Sequence, residues 1–95
     1  MEGLNVFQIQ FLKAIADIQK QCVADALYGK NEYTSREDEL YALTSEVICR
    51  IMELIDGYGN LDTGKLDIIC GKTGERLKEK PFIELHDVVW DYIKE

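Results

Sequence analysis

The stretch from Thr34 to Gly59, TSREDELYALTSEVICRIMELIDGYG, decides the fold. Leu40, Leu43, Val47, Ile51, Leu54 and Ile55 recur at steps of three and four, which puts them on one face of a helix. Tyr41, Ile48 and Met52 flank that face, and Glu46, Arg50 and Glu53 lie opposite. Thr34 with Glu37 fits a capping box, and Ser35 with Asp38 offers a second register one residue on. The spacing predicts a helix over about residues 37–56, stopped by Gly57 and Gly59. Glu46 precedes Arg50 by four positions, the favourable order for a helical ion pair worth ~0.2–0.5 kcal/mol.

Toward the N-terminus the apolar pattern broadens. Leu4, Phe7, Phe11, Ile15, Ile18 and Cys22 form one stripe, and Ile9, Leu12, Ala16, Val23 and Leu27 extend it past half the circumference. Gln10, Lys13, Asp17, Lys20 and Gln21 share a narrow polar side. A helix over about residues 4–28 follows. Its apolar face is wider than a surface helix shows, so coverage on two sides is expected. Gly29 stands where a left-handed cap would end it.

Toward the C-terminus the period changes. Leu66, Ile68 and Cys70 share one face of an alternating run, and Gly71-Lys72-Thr73-Gly74 supplies a turn. Lys78 and Lys80 suit an exposed edge. A short β-hairpin over about residues 65–80 is predicted, and a lone hairpin must pack on helices or on another chain. Pro81 suits the first turn of a third helix over about residues 82–94. There Phe82, Ile83, Leu85, Val88, Val89, Trp90, Tyr92 and Ile93 cover most of the circumference. The expected fold is mainly α, a single domain over residues 1–95 with three helices and a hairpin between the second and third. It becomes α+β if the hairpin is well formed.

Composition narrows the function classes. The 95 residues carry a net charge of -7, concentrated in residues 31–60 at -5 and residues 81–95 at -3. Such a surface repels phosphates, so no nucleic-acid partner is expected. No apolar run approaches the ~18 residues of a membrane span, so no membrane partner is expected either. Met1-Glu2-Gly3-Leu4-Asn5 lacks a basic start and a long apolar core, and three widely spaced cysteines, Cys22, Cys49 and Cys70, do not make a disulfide framework. A cytoplasmic setting is the expectation.

Candidate chemistry is sparse. Gly71-Lys72-Thr73 has the end of a phosphate loop, but the glycine required five positions earlier is Leu66. Asp56, Asn60, Asp62 and Asp67 crowd a glycine-rich loop, yet no register places ligands, a glycine and a glutamate at calcium-loop positions. His86 is the only histidine, with no Cys or His at helical or knuckle spacing. Pairing with Cys49 or Cys70 as a nucleophile would depend on the tertiary fold. The plainer expectation is a packed ring donating to a carbonyl or an acid. No catalytic residue, metal ligand or cofactor is therefore assigned.

What stands out is apolar surface and acid. Two helices have more apolar surface than a three-helix monomer covers, which predicts a homodimer with Phe7, Phe11, Ile18, Val89, Trp90 and Ile93 at its seam. Glu39, Glu46 and Glu53 repeat every seven residues, and Glu84, Asp87 and Asp91 make a second ridge, together suited to a basic protein partner. The leading expectation is a non-catalytic protein-interaction module of inhibitor, antidote or adaptor type. The alternative is a small-ligand or metal-binding protein with a site at the dimer seam, lined by His86, Cys70, Trp90 and Tyr92.

Overall fold

The computed structural model describes residues 3–29, 32–59, 64–78 and 83–94. Its elements are α1 (Val6–Tyr28), α2 (Arg36–Asp56) and α3 (Leu85–Val88), the last running into a 3-10 turn at Val89–Asp91. The mainly helical expectation holds. α2 lies at the centre of the packing, with α1 on one side and α3 on another.

α1 begins two residues later than the periodicity suggests because Asn5 caps it. The Asn5 side chain accepts from the Gln8 N–H at 2.7 Å, and the Gln8 side chain accepts from the Asn5 N–H at 2.8 Å. This reciprocal pair satisfies two backbone donors at once. At the other end Gly29 has φ -72°, so the expected left-handed cap does not form; its N–H simply extends the helical pattern to the Asp25 carbonyl.

α2 takes the second of its two capping registers. Ser35 Oγ accepts from the Asp38 N–H at 3.1 Å, while the Thr34 hydroxyl donates to the Asp38 carboxylate. Asp38 thus holds both residues that enter the helix, and the start moves from Glu37 to Arg36. Gly57, at φ 98°, closes the helix. Tyr58 N–H reaches the Glu53 carbonyl at 2.9 Å and Gly57 N–H reaches Leu54 at 3.2 Å, the pair of bonds a glycine cap provides.

Arg50 clasps α1 to α2. Its guanidinium reaches Glu46 at 2.8 Å on its own helix, as the four-residue spacing predicts, and Asp25 at 2.8 Å and Gln21 at 3.0 Å on α1. The core beneath is small. Among the described residues, Ala14, Cys22, Leu54, Ile55 and Leu85 are its buried apolar members.

The hairpin and the third helix differ from expectation. The hairpin over 65–80 is not seen: the described residues hold no strand, only one antiparallel bridge between Ile69 and Arg76. Ile68, Ile69 and Leu77 stay exposed, so the segment has no apolar face to bury and nothing to offset the cost of a ladder. Instead Asp67 organises the segment. Its carboxylate accepts from the Ile68 N–H at 2.8 Å and the Lys78 N–H at 2.9 Å, and pairs with Arg76 at 2.7 Å. Leu66 N–H, bonded to the Ile55 carbonyl at 2.7 Å, ties it to α2.

The third helix is also much shorter than residues 82–94. Its apolar run is rich in β-branched and aromatic residues, which lose rotamer freedom in a helix, and Glu84 gives it no side-chain cap. The helical turns end at Asp91. Pro81 and Phe82 lie outside the described residues.

Candidate functional site

Asp56 is the last residue of α2, at the negative end of the helix dipole, where an acid is disfavoured. Its carboxylate is completely buried. Three partners compensate. Lys78 Nζ pairs with Oδ1 at 2.7 Å, and Oδ2 accepts from the His86 backbone N–H at 2.9 Å and faces His86 Nδ1 at 2.7 Å. The backbone bond makes Asp56 the cap that Glu84 does not supply to α3. One carboxylate therefore joins the end of α2 to the start of α3.

Burial by itself would raise the Asp56 pKa, but Lys78, the His86 N–H and ring and the Leu85 N–H outweigh it and pull it down to about 2. Lys78 is buried with it at 8% side-chain exposure. This corrects the edge-strand expectation for Lys78, whose ammonium points inward to a buried acid. A lone buried charge is costly, and the pair is retained because each neutralises the other.

His86 sits at the centre of a wider set. Its pKa is raised, chiefly by the hydrogen bond to Asp56, with Asp87 and Glu84 adding to the effect and burial opposing it. Glu84 Oε2 lies 3.7 Å from Nδ1, and Asp87 Oδ1 lies 3.5 Å from Nε2. Tyr58, placed by the Gly57 cap, meets the imidazole edge-on at 5.2 Å and donates its hydroxyl to Glu84 Oε1 at 3.1 Å. Asp56, Glu84 and His86 each offer a ligand atom, all within 4.8 Å of one another. The sequence expectation that His86 donates to an acid holds, and the acid is thirty residues away.

Asp56 and Lys78 are visible in the sequence only in other roles, as a failed calcium-loop acid and as an edge lysine; their pairing is not. One signal was available for Asp56: an acid directly before a helix-ending glycine, where a base is favoured. Nothing in the sequence singles out Lys78 from Lys72 or Lys80.

The other sequence candidates divide. Glu39 and Asp91 are exposed, and Asp87 is exposed beside His86. Glu46 is held by Arg50, Glu53 accepts from the Cys49 thiol at 3.5 Å, and Glu84 is held by Tyr58. The two ridges are thus partly engaged within the chain. Phe11 and Ile18 are half-buried on the α1 face that also carries Ala14 and Cys22, while Phe7 is exposed and stacks obliquely on Phe11. Val89 and Ile93 are half-buried and Trp90 is exposed. Trp90 lines a cleft of about 490 Å³ between α1 and α2 with Ile18, Cys49 and Arg50.

No Cys–His pair is assembled at Cys49. Its thiol faces the His86 backbone carbonyl at 4.0 Å rather than the ring, and burial, then Glu53, push its pKa up. That favours the thiol over the nucleophilic thiolate. Cys70 lies exposed beside the 71–74 turn, where the Thr73 hydroxyl and N–H lower its pKa. Tyr92 is 88% exposed. No helix of the described residues is long and apolar enough to cross a membrane. Comparison with protein-family models, with curated proteins and with solved structures gives no match, so function is read from this geometry alone.

Proposed function

We propose that the chain is a non-catalytic protein-interaction module, of inhibitor, antidote or adaptor type, that acts as a homodimer in the cytoplasm. The observation that carries this is the second apolar face of α1, which takes the place of the expected seam because Phe11, Ile18, Val89 and Ile93 are half-buried within the chain. Ile9, Leu12, Ala16, Val23 and Leu27 follow one stripe of the helix, and all five are exposed. Ile9, Ala16 and Val23 are spaced by seven, the repeat that suits packing against another helix.

Area supports a second copy as the occupant. A monomer of 10.9 kDa is expected to expose about 5,600 Å². The chain exposes 7555 Å². The surplus of roughly 2,000 Å² per chain is what an obligate dimer of roughly 4,000 Å² total buries. Charge supports it too. Residues 1–30 are net neutral, whereas the α2 region is strongly acidic, so two copies meet through α1 without repulsion.

Such a dimer leaves Glu39, Asp87 and Asp91 outward as the acids available to a basic protein partner. The free thiols Cys22, Cys49 and Cys70 fit a reducing compartment.

Light scattering on a sizing column tests the dimer. The wild-type chain is expected at twice its 10.9 kDa mass, and Leu12→Asp with Val23→Asp is expected to shift it toward the monomer. A folded wild-type monomer at micromolar concentration overturns the proposal.

A further inference from the structure

We propose that Asp56, Glu84 and His86 form a binding site for a divalent transition-metal cation of the zinc type. The site lies within one chain and does not rest on the dimer.

The first support is an orphaned acceptor. Glu84 Oε2 is buried and has no hydrogen-bond partner among the described residues. It faces His86 Nδ1 at 3.7 Å, with Asp56 Oδ2 on the same nitrogen at 2.7 Å. A buried acceptor without a donor is costly, and a cation would satisfy it. The two separations bracket ~3.3 Å, the ligand–ligand edge of a tetrahedron with bonds of ~2.0–2.1 Å. Seating the ion would break the Nδ1–Oδ2 hydrogen bond and draw the three ligand atoms, which lie within 4.8 Å of one another, onto that edge.

The second support is that every ligand already has an outer partner. Tyr58 fixes Glu84 through Oε1, Lys78 fixes Asp56 through Oδ1, and Asp87 faces the far nitrogen of His86. Such partners orient metal ligands and hold the histidine tautomer. The ion would take the Nδ1 lone pair while the ring keeps its proton on Nε2, toward Asp87. The proton that Nδ1 donates to Asp56 in the metal-free protein would leave to solvent on binding, freeing that lone pair.

The third support is charge. Asp56, Glu84 and Asp87 carry three negative charges against one on Lys78, so with a neutral imidazole the set is short of two positive charges. One nitrogen with two carboxylate oxygens suits Zn²⁺, Mn²⁺ or Fe²⁺ better than Ca²⁺, which takes oxygen throughout.

The test is a Co²⁺ titration of chelator-treated, full-length protein followed by visible absorption, with Zn²⁺ as competitor. One Co²⁺ per chain is expected, with d–d bands, no thiolate charge-transfer band, and displacement by Zn²⁺. Glu84→Gln retains the acceptor for Tyr58 and the fold, and is expected to weaken binding by about tenfold or more. His86→Gln is expected to abolish it. Failure of Co²⁺ to bind, a thiolate band marking cysteine ligation, or unchanged affinity in Glu84→Gln overturns the proposal. None of these outcomes bears on the oligomeric state.

Discussion

At the scale of single residues, the molecule turns on Asp56. Removing its charge leaves Lys78 buried and unpaired. Asp56→Asn is expected to destabilise the fold by about 3–5 kcal/mol in urea titrations, and adding Lys78→Met to recover much of that loss. The same residues set the pH response of the metal-free protein. The folded Asp56 pKa of about 2 lies below its unfolded value, so its contribution is present above about pH 4 and lost as pH falls toward 2. His86 is shifted the other way. Its contribution is present below about pH 6.5 and lost as pH rises through its raised folded pKa. Melting temperatures measured in chelator should peak between about pH 4 and 6.5. Asp56→Asn should flatten the acid limb and His86→Gln the alkaline one. A limb that survives its own substitution would assign that titration elsewhere.

At the scale of elements, the long helices were legible and the short ones were not. Leu43, Val47 and Leu54 repeat over about three turns of α2, so local pattern and tertiary burial agree. The third helix fails because Val88, Val89, Trp90 and Ile93 are apolar without being good helix formers, and a two-turn helix depends on an external cap. That cap is Asp56, which no local rule connects to His86. The hairpin fails for a related reason: alternation in Leu66, Ile68 and Cys70 has meaning only if one face is buried. The candidate site was illegible because its partners sit on separate elements. α2 owes its clean end to Gly57. A Cβ there would meet the Lys65 backbone nitrogen at 3.1 Å, at a φ that side chains rarely adopt. Gly57→Ala is therefore expected to cost about 1–2 kcal/mol and to loosen Tyr58 from Glu84, read as a drop in denaturant midpoint. An unchanged midpoint would mean that the loop relaxes freely.

At the scale of the whole molecule, the chain is open. Its radius of gyration is 15.5 Å, against about 12 Å for a compact domain of this length. Thin burial and an exposed stripe on α1 are one fact seen twice. If a second copy supplies the missing cover, folding and association are coupled. The melting temperature should then rise by about 5 °C or more between roughly 1 and 100 μM protein. A concentration-independent value would mean that each chain is stable alone. The junction of Asp56 with His86 has a further consequence. It brings two points thirty positions apart into hydrogen-bond contact, while the turn at Gly71, Lys72 and Thr73 lies exposed between them. Loop closure depends only weakly on length, so adding ten residues inside the segment closed by the Ile69–Arg76 bridge costs about 0.8 kcal/mol. The turn is thus a natural insertion point, where a reporter peptide could be carried without disturbing the helices.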